Sequence, residues 1–376
     1  MSTKFRADHV GSFLRPQEVL DAHIAYQKGE LALEKLRALE DKAILDVLEL
    51  QKQVGVDVFT DGELRRGGWS GDFQEAVEGY VPGSPPISLR WSSQPDQAAP
   101  AGVAGAGGGG GRVIGGKLRP KNRITAYETD FLRQHAPGPI KVTMPAVSYV
   151  VSRAYKPGVT DKVYGSRAEV LADAAAIIKA EIVQLISEGV TYIQLDNPHY
   201  PDYIDANRRE QYAAIGIDPV KAMEEDIEAD NASIAGIKRD GITIGMHLCR
   251  GNGGRGGWHT SGGYDSIAEQ VFGRVNVDSW LLEYDSERAG GFEPLRFVPR
   301  GRNVVLGLIT TKAGELEPED LIRSRIEGAA KYVALDDLSL SPQCGFASVM
   351  QGNPLTFDEQ RKKLELVVKV ARKVWA

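Results

Sequence analysis

Residues 167–196 read RAEVLADAAAIIKAEIVQLISEGVTYIQLD, and this stretch contains a helix, a turn and a strand in succession. Its first part is amphipathic with helical spacing and ends at Gly189, a residue type that often terminates helices. The run YIQL at 192–195 has the character of a parallel strand that is buried on both faces. A helix followed at once by a buried strand is the repeating unit of α/β folds.

The same alternation extends in both directions along the chain. Helical patterns cover residues 31–55 and 357–375, and Thr356 is the predicted N-cap of the second of these. Strands are predicted at Asp8–Ser12, Val56–Glu63, Ile140–Pro145, Tyr192–Asp196, Ile242–Cys249, Trp280–Tyr284, Val304–Thr310 and Leu338–Pro342. Eight strands with intervening helices and a closing helix predict an α/β fold of the (β/α)8 TIM barrel type. A doubly wound open sheet is the alternative.

Residues 83–116 interrupt the alternation. They read GSPPISLRWSSQPDQAAP, then AGVAGAGGGGG, then RVIGG. This composition favours neither a packed helix nor a regular strand, so we expect a flexible Gly/Pro-rich insertion after the second strand. Because the alternation resumes beyond it, residues 1–376 are expected to form a single barrel domain.

Composition excludes several classes of protein. With 42% hydrophobic residues the chain can bury a sizeable core, which argues against global disorder. A net charge of −6 argues against a nucleic-acid partner. No apolar run approaches the roughly 18–20 residues of a membrane span, so no membrane partner is expected. Two cysteines exclude a disulfide framework, and we expect a cytoplasmic protein.

Polar or ionisable residues follow nearly every predicted strand. In a TIM barrel the C-terminal strand ends meet at one mouth, where catalytic residues lie. The residues at these ends are Ser12, Glu63, Asp196, His247, Cys249, Glu283, Thr310, Thr311 and Cys344. Their convergence predicts a catalytic site at the mouth of the barrel.

Four of these residues are predicted metal ligands. His247 and Cys249 are two positions apart, so they lie on one side of an extended strand, and Glu283 and Cys344 end two other strands. One imidazole, one carboxylate and two thiolates form a set suited to zinc. The wide sequence spacing and the displaceable carboxylate favour an exchangeable, catalytic site over a structural one.

Six short motifs occur in order along almost the whole chain. They are HVGSF (9–13), DGE (61–63), QLDNP (194–198), HLC (247–249), LLE (281–283) and SPQCG (341–345). In these motifs the chain resembles the catalytic barrel of cobalamin-independent methionine synthases, particularly their short, single-barrel relatives. The resemblance implies that His247, Cys249, Glu283 and Cys344 bind zinc, and that Ser12, Glu63 and Asp196 hold the amino-acid end of homocysteine.

The chemistry of these side chains agrees with such roles. A free thiol with a pKa near 8.5 is mostly protonated at neutral pH, and coordination to zinc deprotonates it while keeping it reactive. Glu63 and Asp196, predicted as catalytic and substrate-binding residues, offer two negative charges to an α-ammonium group. Ser12 is a predicted partner of the α-carboxylate.

The chain departs from the family pattern at residues that are expected to act on the alkyl donor. The family places a histidine on the seventh strand, where this chain has Thr310, Thr311 and Lys312. Protonation of a folate donor needs a general acid, so its identity stays open here, with His199 and His259 as possible substitutes. Two further differences are Asn197, where the family has an acidic residue, and Tyr149, where a tryptophan is expected to stack on a pteridine.

The leading hypothesis is a zinc-dependent S-alkyltransferase that methylates homocysteine with methyl-folate or another donor. The chain is also similar to epoxyalkane:coenzyme M transferases, in which a zinc-bound thiolate opens an epoxide. Coenzyme M carries a sulfonate, for which Arg65, Arg66, Arg250 and Arg255 are candidate partners. The carboxylate pair favours an amino-acid thiol. The third hypothesis is a non-enzymatic protein that binds zinc or a thiol.

Overall fold

The computed structural model describes residues 4–87, 89, 91–92, 111–253 and 256–376. The strands of the described chain are β1 (Val77–Pro82), β2 (Arg112–Pro120), β3 (Lys141–Pro145), β4 (Tyr192–Asp196), β5 (Thr243–Leu248), β6 (Ser279–Glu283), β7 (Asn303–Ile309) and β8 (Leu338–Pro342). Its α-helices are α1 (Gln17–Gln27), α2 (Leu33–Val54), α3 (Gly71–Ala76), α4 (Ala126–His135), α5 (Val147–Ala154), α6 (Arg167–Ser187), α7 (Ala206–Ala214), α8 (Pro219–Ile234), α9 (Asp265–Arg274), α10 (Glu319–Ala329) and α11 (Phe357–Val374).

Strands β3 to β8 form a six-stranded parallel sheet whose order follows the chain. They occupy the third to eighth predicted positions, and the bounds of β4 and β8 are those predicted. Every residue of these six strands is buried. Burial on both faces agrees with side chains packed inside the ring of strands and helices packed outside it.

Two short segments continue the ring from β8 back to β3. Ala7 forms a parallel bridge with Leu340 of β8, and Phe59 forms another with Ile140, beside β3. The main-chain N–H of Asp57 donates to the carbonyl of Ala7 at 3.0 Å, which joins the two segments. The predicted α/β barrel is therefore confirmed.

The first and second barrel strands each reduce to one bridging residue. The first was predicted at Asp8–Ser12, but its bridge lies at Ala7, one residue before that range, and the second was predicted at Val56–Glu63 and bridges at Phe59. A carboxylate oxygen of Asp57 accepts the main-chain N–H groups of Arg6 and Ala7 at 2.7 and 2.9 Å, so a side chain takes the place of ladder bonds. Gly11 and Gly62 have φ values of 143° and 72°, and they turn the chain away from the strand direction.

The prediction for residues 83–116 is wrong at its C-terminal end. Residues 112–116 belong to β2, which pairs with β1 as an antiparallel hairpin. A Cβ at Gly115 would lie 2.6 Å from Val81, so this glycine permits close strand contact and does not interrupt the strand. Residues 88, 90 and 93–110 of the predicted insertion lie outside the described residues.

The helix ends follow the predicted signals. Helix α2 ends at a left-handed Gly55 with φ of 86°. At the start of α11, Thr356 and Glu359 form a reciprocal capping box. Among the described helices, none is both long and apolar enough to cross a membrane.

Candidate metal and substrate site

Strands β5 and β8 bring three predicted metal ligands together. His247 lies in β5, Cys249 follows it, and Cys344 lies two residues beyond β8. One ligand atom from each residue lies within 4.8 Å of the others, and all three side chains are buried. We call these three residues the donor group. A nitrogen and two sulfurs at this spacing can hold one soft or borderline metal ion such as zinc.

The imidazole of His247 is oriented for such a role. Its Nδ1 lies 3.1 Å from the carbonyl oxygen of Leu281, which favours the tautomer with the proton on Nδ1. Its Nε2 is buried and has no hydrogen-bond partner in the described structure. A buried nitrogen without a partner is costly, and a bound ion would satisfy it.

The pKa values of the two cysteine thiols are shifted in opposite directions. They share a hydrogen bond that, together with burial, raises the pKa of Cys249 well above its usual value. The same hydrogen bond and the nearby His247 lower the pKa of Cys344 well below its usual value. The thiolate is the form that binds metal ions, so this pair already favours one metal-binding sulfur.

Glu283, the fourth predicted ligand, ends β6 but does not belong to the donor group. Its Oε2 accepts the main-chain N–H of Arg250 at 2.5 Å, and its Oε1 accepts a guanidinium N–H of Arg288 at 2.6 Å. Burial acts to raise its pKa, but the positive charges of Lys312, Arg250 and Arg288 outweigh burial and lower the pKa to about 2. Glu283 is therefore ionised.

Glu63 occupies a strained turn beside the mouth of the barrel. Its φ of 58° makes it the one non-glycine residue with positive φ in the described chain. Its Oε1 accepts a hydrogen bond from the Thr143 hydroxyl at 2.8 Å, whereas Oε2 is buried with no partner among the described residues. Burial raises the pKa of this carboxyl. A cationic ligand would satisfy the unpartnered oxygen.

Asp196 ends β4 and is the cross-strand neighbour of His247. Its Oδ1 accepts an amide N–H of Gln194 at 2.7 Å. Burial raises the pKa of Asp196 to about 7, and the negative charge of Glu63 adds to this increase. Two buried carboxyl groups with raised pKa values gain more from a bound cation than exposed ones do.

Ser12 lies against the loop that carries Cys344. Its Oγ accepts the main-chain N–H of Ala347 at 3.3 Å. A Cβ at Gly345 would come within 1.9 Å of the same Oγ, so only glycine fits beside it. Ser12 therefore contacts Gly345, the residue that follows Cys344 of the donor group.

The substitution on the seventh strand places a buried cation near the site. Lys312 is 2% exposed, and its Nζ donates to the carbonyl of Gly251 at 2.8 Å and to Oδ1 of Asn252 at 3.2 Å. Thr311 is also buried, and its hydroxyl accepts an amide N–H of Gln343 at 2.9 Å. Sequence reasoning identified the position but gave no signal for the burial of the lysine.

The two histidines considered as substitutes have partners. His199 is buried between Asp202 and Asp226, with ring nitrogens 3.3 and 2.9 Å from their carboxylates. Nδ1 of His259 lies 3.0 Å from the Thr260 hydroxyl. His199 is thus part of a closed polar network. Neither ring nitrogen of His199 is available to a ligand without breaking that network.

The ring of Tyr149 packs against Trp69, a residue that the sequence analysis did not identify. The rings of Tyr149 and Trp69 lie 4.5 Å apart at an angle of 48°. Both residues are half-buried. No sequence signal paired the two, because Trp69 lies in a turn and Tyr149 lies in α5, far along the chain.

Three of the four arginines considered as sulfonate partners already have other hydrogen-bond or ion-pair partners. Arg65 pairs with Asp41 at 2.5 Å, and Arg66 pairs with Glu128 at 2.5 Å. The guanidinium of Arg250 donates to the carbonyl of Gly262 at 2.7 Å. Arg255 lies outside the described residues. Arg65, Arg66 and Arg250 therefore do not form an open anion site.

The chain is similar to several known proteins. A protein named uncharacterized protein YxjH, from Bacillus subtilis, is 38% identical over 99% of this chain and 95% of its own length. A methionine synthase from Pyrococcus abyssi is 23% identical over 89% of this chain and 84% of its own length. Among solved structures, a putative vitamin-B12 independent methionine synthase from Listeria monocytogenes is 32% identical. It covers 100% of this chain and 99% of its own, with a TM-score of 0.75.

The family model described as "Cobalamin-independent synthase, Catalytic domain" matches residues 5–87 and 156–373. The matched ranges contain all seven predicted site residues and omit the hairpin strand β2. The chain therefore belongs to the family of cobalamin-independent methionine synthase catalytic domains.

Proposed function

We propose that this protein is a zinc-dependent S-methyltransferase that methylates homocysteine to methionine. The observation that carries the proposal is the buried donor group, in which Nε2 of His247 has no partner among the described residues. The family assignment supports methyl transfer to a thiol.

In the proposed enzyme the donor group holds the zinc ion. Bound zinc lowers the pKa of a coordinated thiol, so that the thiol reacts as a thiolate at neutral pH. The carbonyl of Leu281 fixes the tautomer of His247 and directs Nε2 to the ion. Burial of the donor group excludes water from the reacting sulfur.

The amino-acid end of homocysteine lies against the acidic pair. Glu63, through its unpartnered Oε2, and Asp196 receive the α-ammonium group. Ser12 Oγ lies on the same side as Cys344 and donates to the α-carboxylate. These contacts orient the substrate so that its sulfur reaches the donor group, which is a gain of proximity and orientation.

An amino-acid thiol suits this site better than coenzyme M. Coenzyme M has no ammonium group to pair with Asp196 or with the unpartnered Oε2 of Glu63, whose other oxygen lies 3.7 Å from Arg66. Arg65, Arg66 and Arg250 already have carboxylate or carbonyl partners. The methyl donor is methyl-folate or another methyl carrier.

The test begins with the zinc content of the purified protein. The zinc-loaded protein is then titrated separately with homocysteine and coenzyme M, and proton release and X-ray absorption at the zinc edge are followed. We expect one zinc per chain and a new sulfur ligand with homocysteine only. Cys249→Ser and Cys344→Ser should each lose zinc, whereas the exposed-site control Ser187→Ala should keep it.

Three outcomes contradict the proposal in different ways. Tight zinc binding without a new ligand favours the non-enzymatic alternative. A new ligand from coenzyme M but not from homocysteine favours epoxide opening. Zinc binding that survives both cysteine substitutions removes the donor group from consideration.

A further inference from the structure

The hydroxyl of Thr143, a buried residue of β3, lies between an arginine and a carboxylate. It accepts an N–H of Arg66 at 3.0 Å and donates to Oε1 of Glu63 at 2.8 Å. A guanidinium has only donors and a hydroxyl has only one hydrogen, so the contact with Arg66 directs that hydrogen to the carboxylate. The direction of the hydrogen bond between Thr143 and Glu63 is therefore set by Arg66.

Arg66 is itself held by groups other than Glu63. Its guanidinium donates to both carboxylate oxygens of Glu128, each at 2.5 Å, and to the main-chain carbonyl of Thr143 at 2.7 Å. The side chains of Arg66 and Glu128 are only 3% and 5% exposed, and a buried bidentate pair of this kind has a fixed geometry. The Arg66 nitrogen that bonds to Thr143 lies 3.7 Å from Glu63 Oε1, beyond hydrogen-bond distance. Thr143 therefore supplies the direct contact.

The main chain of Glu63 is fixed as well. Its carbonyl accepts an N–H of Arg15 at 2.7 Å, and its N–H donates to Oδ1 of Asp61 at 2.9 Å. A Cβ at Gly11 would lie 3.0 Å from both Glu63 Oε1 and a methyl carbon of Thr143, so a glycine there leaves room for their contact. Because the main chain is held, the orientation of the carboxylate depends on the Thr143 hydroxyl. That hydroxyl occupies Oε1, and Oε2 has no hydrogen-bond partner among the described residues.

We infer that Thr143 is a positioning residue that, with its hydroxyl directed by Arg66, orients the Glu63 carboxylate and leaves Oε2 to the ammonium group of the substrate. A carboxylate that is already oriented loses less conformational freedom when a ligand binds, so the ammonium group binds more tightly. Thr143 thus contributes to specificity for thiols that carry an amine. Thr143 and Glu128 both lie between the two ranges that the family model matches. This inference rests on the ammonium site of the proposed function.

The test compares two thiols that differ only in the amine. Homocysteine carries the ammonium group, and 4-mercaptobutyrate is the same molecule without it. Both are titrated into the zinc-loaded wild type, Thr143→Val, Thr143→Ser, Glu63→Gln and the double variant of Thr143→Val with Glu63→Gln. The contribution of the sulfur is common to both thiols, so the ratio of their affinities reports the ammonium site.

Thr143→Val keeps the shape of the side chain and removes its hydroxyl. We expect homocysteine affinity to fall by about fivefold, the worth of one net hydrogen bond, whereas the affinity for 4-mercaptobutyrate stays within about twofold. Thr143→Ser keeps the hydroxyl, so both affinities should stay within about twofold of the wild type. In the Glu63→Gln background, Thr143→Val should cost no more than about twofold further, because a residue that acts through the Glu63 carboxylate then has no carboxylate to orient.

Thr160 supplies the matched control, since it is a buried threonine whose hydroxyl donates to the carbonyl of Ile114 at 2.7 Å. Thr160→Val should leave the ratio of the two affinities unchanged. Circular dichroism and thermal unfolding establish that each variant is folded. Thr143→Ala removes the same hydroxyl, and it takes the place of Thr143→Val in the comparison if that variant does not fold.

Equal loss of affinity for both thiols in Thr143→Val would overturn the inference, as would a loss of homocysteine affinity that is equally large in Thr143→Ser. A loss that adds in full to that of Glu63→Gln would also overturn it. An unchanged ratio in Thr143→Val, together with a lowered ratio in Glu63→Gln, would overturn the inference and leave the ammonium site standing. An unchanged ratio in Glu63→Gln would overturn the ammonium site as well. A zinc-loaded wild type that binds neither thiol would overturn the proposed function itself.

Discussion

Gly345 and Ser12 are packed so closely that a Cβ on Gly345 would lie 1.9 Å from Ser12 Oγ. The contact joins the N-terminal segment to the loop that carries Cys344. The contact sets the closest approach of the two segments, and the N–H of Ala347, which donates to Ser12 Oγ at 3.3 Å, holds the proposed carboxylate-binding hydroxyl against this loop.

Gly345→Ala should displace the Ser12 side chain and weaken homocysteine binding. The hydrogen bond from Ala347 to Ser12 would be lost, and the overpacked loop should cost about 1–3 kcal/mol of unfolding free energy. Urea unfolding and isothermal titration with homocysteine measure the two effects. Gly67→Ala is the matched control, because a Cβ there meets its nearest neighbour at 3.8 Å. Equal stability and affinity in both variants would show that the contact has no energetic importance.

Glu63→Gln should weaken homocysteine binding by at least roughly tenfold, because a buried charge partner of the ammonium is removed. Binding of a thiol without an amine, such as 3-mercaptopropionate, should stay within about twofold, since no ammonium group faces Glu63. Titration of the zinc-loaded variant with both thiols gives the two affinities. Substitution of the exposed Glu78 by Gln is the control. Equal weakening for both thiols would assign Glu63 a structural role only.

Lys312→Met should destabilise the loop after β5 and weaken thiol binding. The carbonyl of Gly251 and the side chain of Asn252 would lose a buried charged donor, at a cost of about 1–3 kcal/mol. A substrate thiolate adds negative charge beside two cysteine sulfurs, and the lysine offsets that charge. Lys312→Arg keeps the charge and should retain more of the affinity than Lys312→Met. If both variants bind homocysteine like the wild type, the cation has no part in thiol binding.

Acidification should destabilise the protein through His9. Burial and the nearby Lys141 lower the pKa of His9 from 6.5 to about 4, with Asp8 acting in the opposite direction. Between these values the unfolded chain binds a proton that the folded chain does not. The free energy of unfolding should therefore fall as the pH decreases from 6.5 to 4, by up to about 1.4 kcal/mol per pH unit from this residue.

The measurement is urea unfolding of the wild type and His9→Gln at intervals from pH 7 to pH 4. The variant should lack this component, so its stability should depend less steeply on pH. Substitution of the exposed His135 by Gln supplies the control. Parallel pH profiles for the wild type and His9→Gln would contradict the assignment.

The parts of the fold that the sequence predicted well are those with strong periodicity. Strands β4 and β8 have the predicted bounds because buried parallel strands leave a short, clearly bounded apolar run. The first strand was predicted at Asp8–Ser12, whereas the bridge to β8 lies at Ala7, where the carboxylate of Asp57 takes main-chain bonds that no local pattern reveals. Strand β2 was missed because the Gly/Pro-rich composition of residues 83–116 predicted a flexible insertion, whereas Gly115 allows close contact with Val81.

The candidate site also has a part that could be predicted from the sequence and a part that could not. Strand order and side-chain alternation were enough to bring His247, Cys249 and Cys344 together. The environment of Glu283 was not predictable, because Arg288 reaches it from a separate turn and the second donor is a main-chain N–H. Long-range contacts of single side chains leave no periodic signal in the sequence.

The only two cysteines of the chain both belong to the donor group. Both thiols of the molecule therefore report on the donor group. A reagent that reacts with free thiols consequently also measures the fraction of donor groups that hold no metal. The same arrangement concentrates oxidative damage. When the sulfurs are free of metal, an oxidant that attacks cysteine removes the metal-binding sulfurs and leaves the rest of the barrel chemically intact.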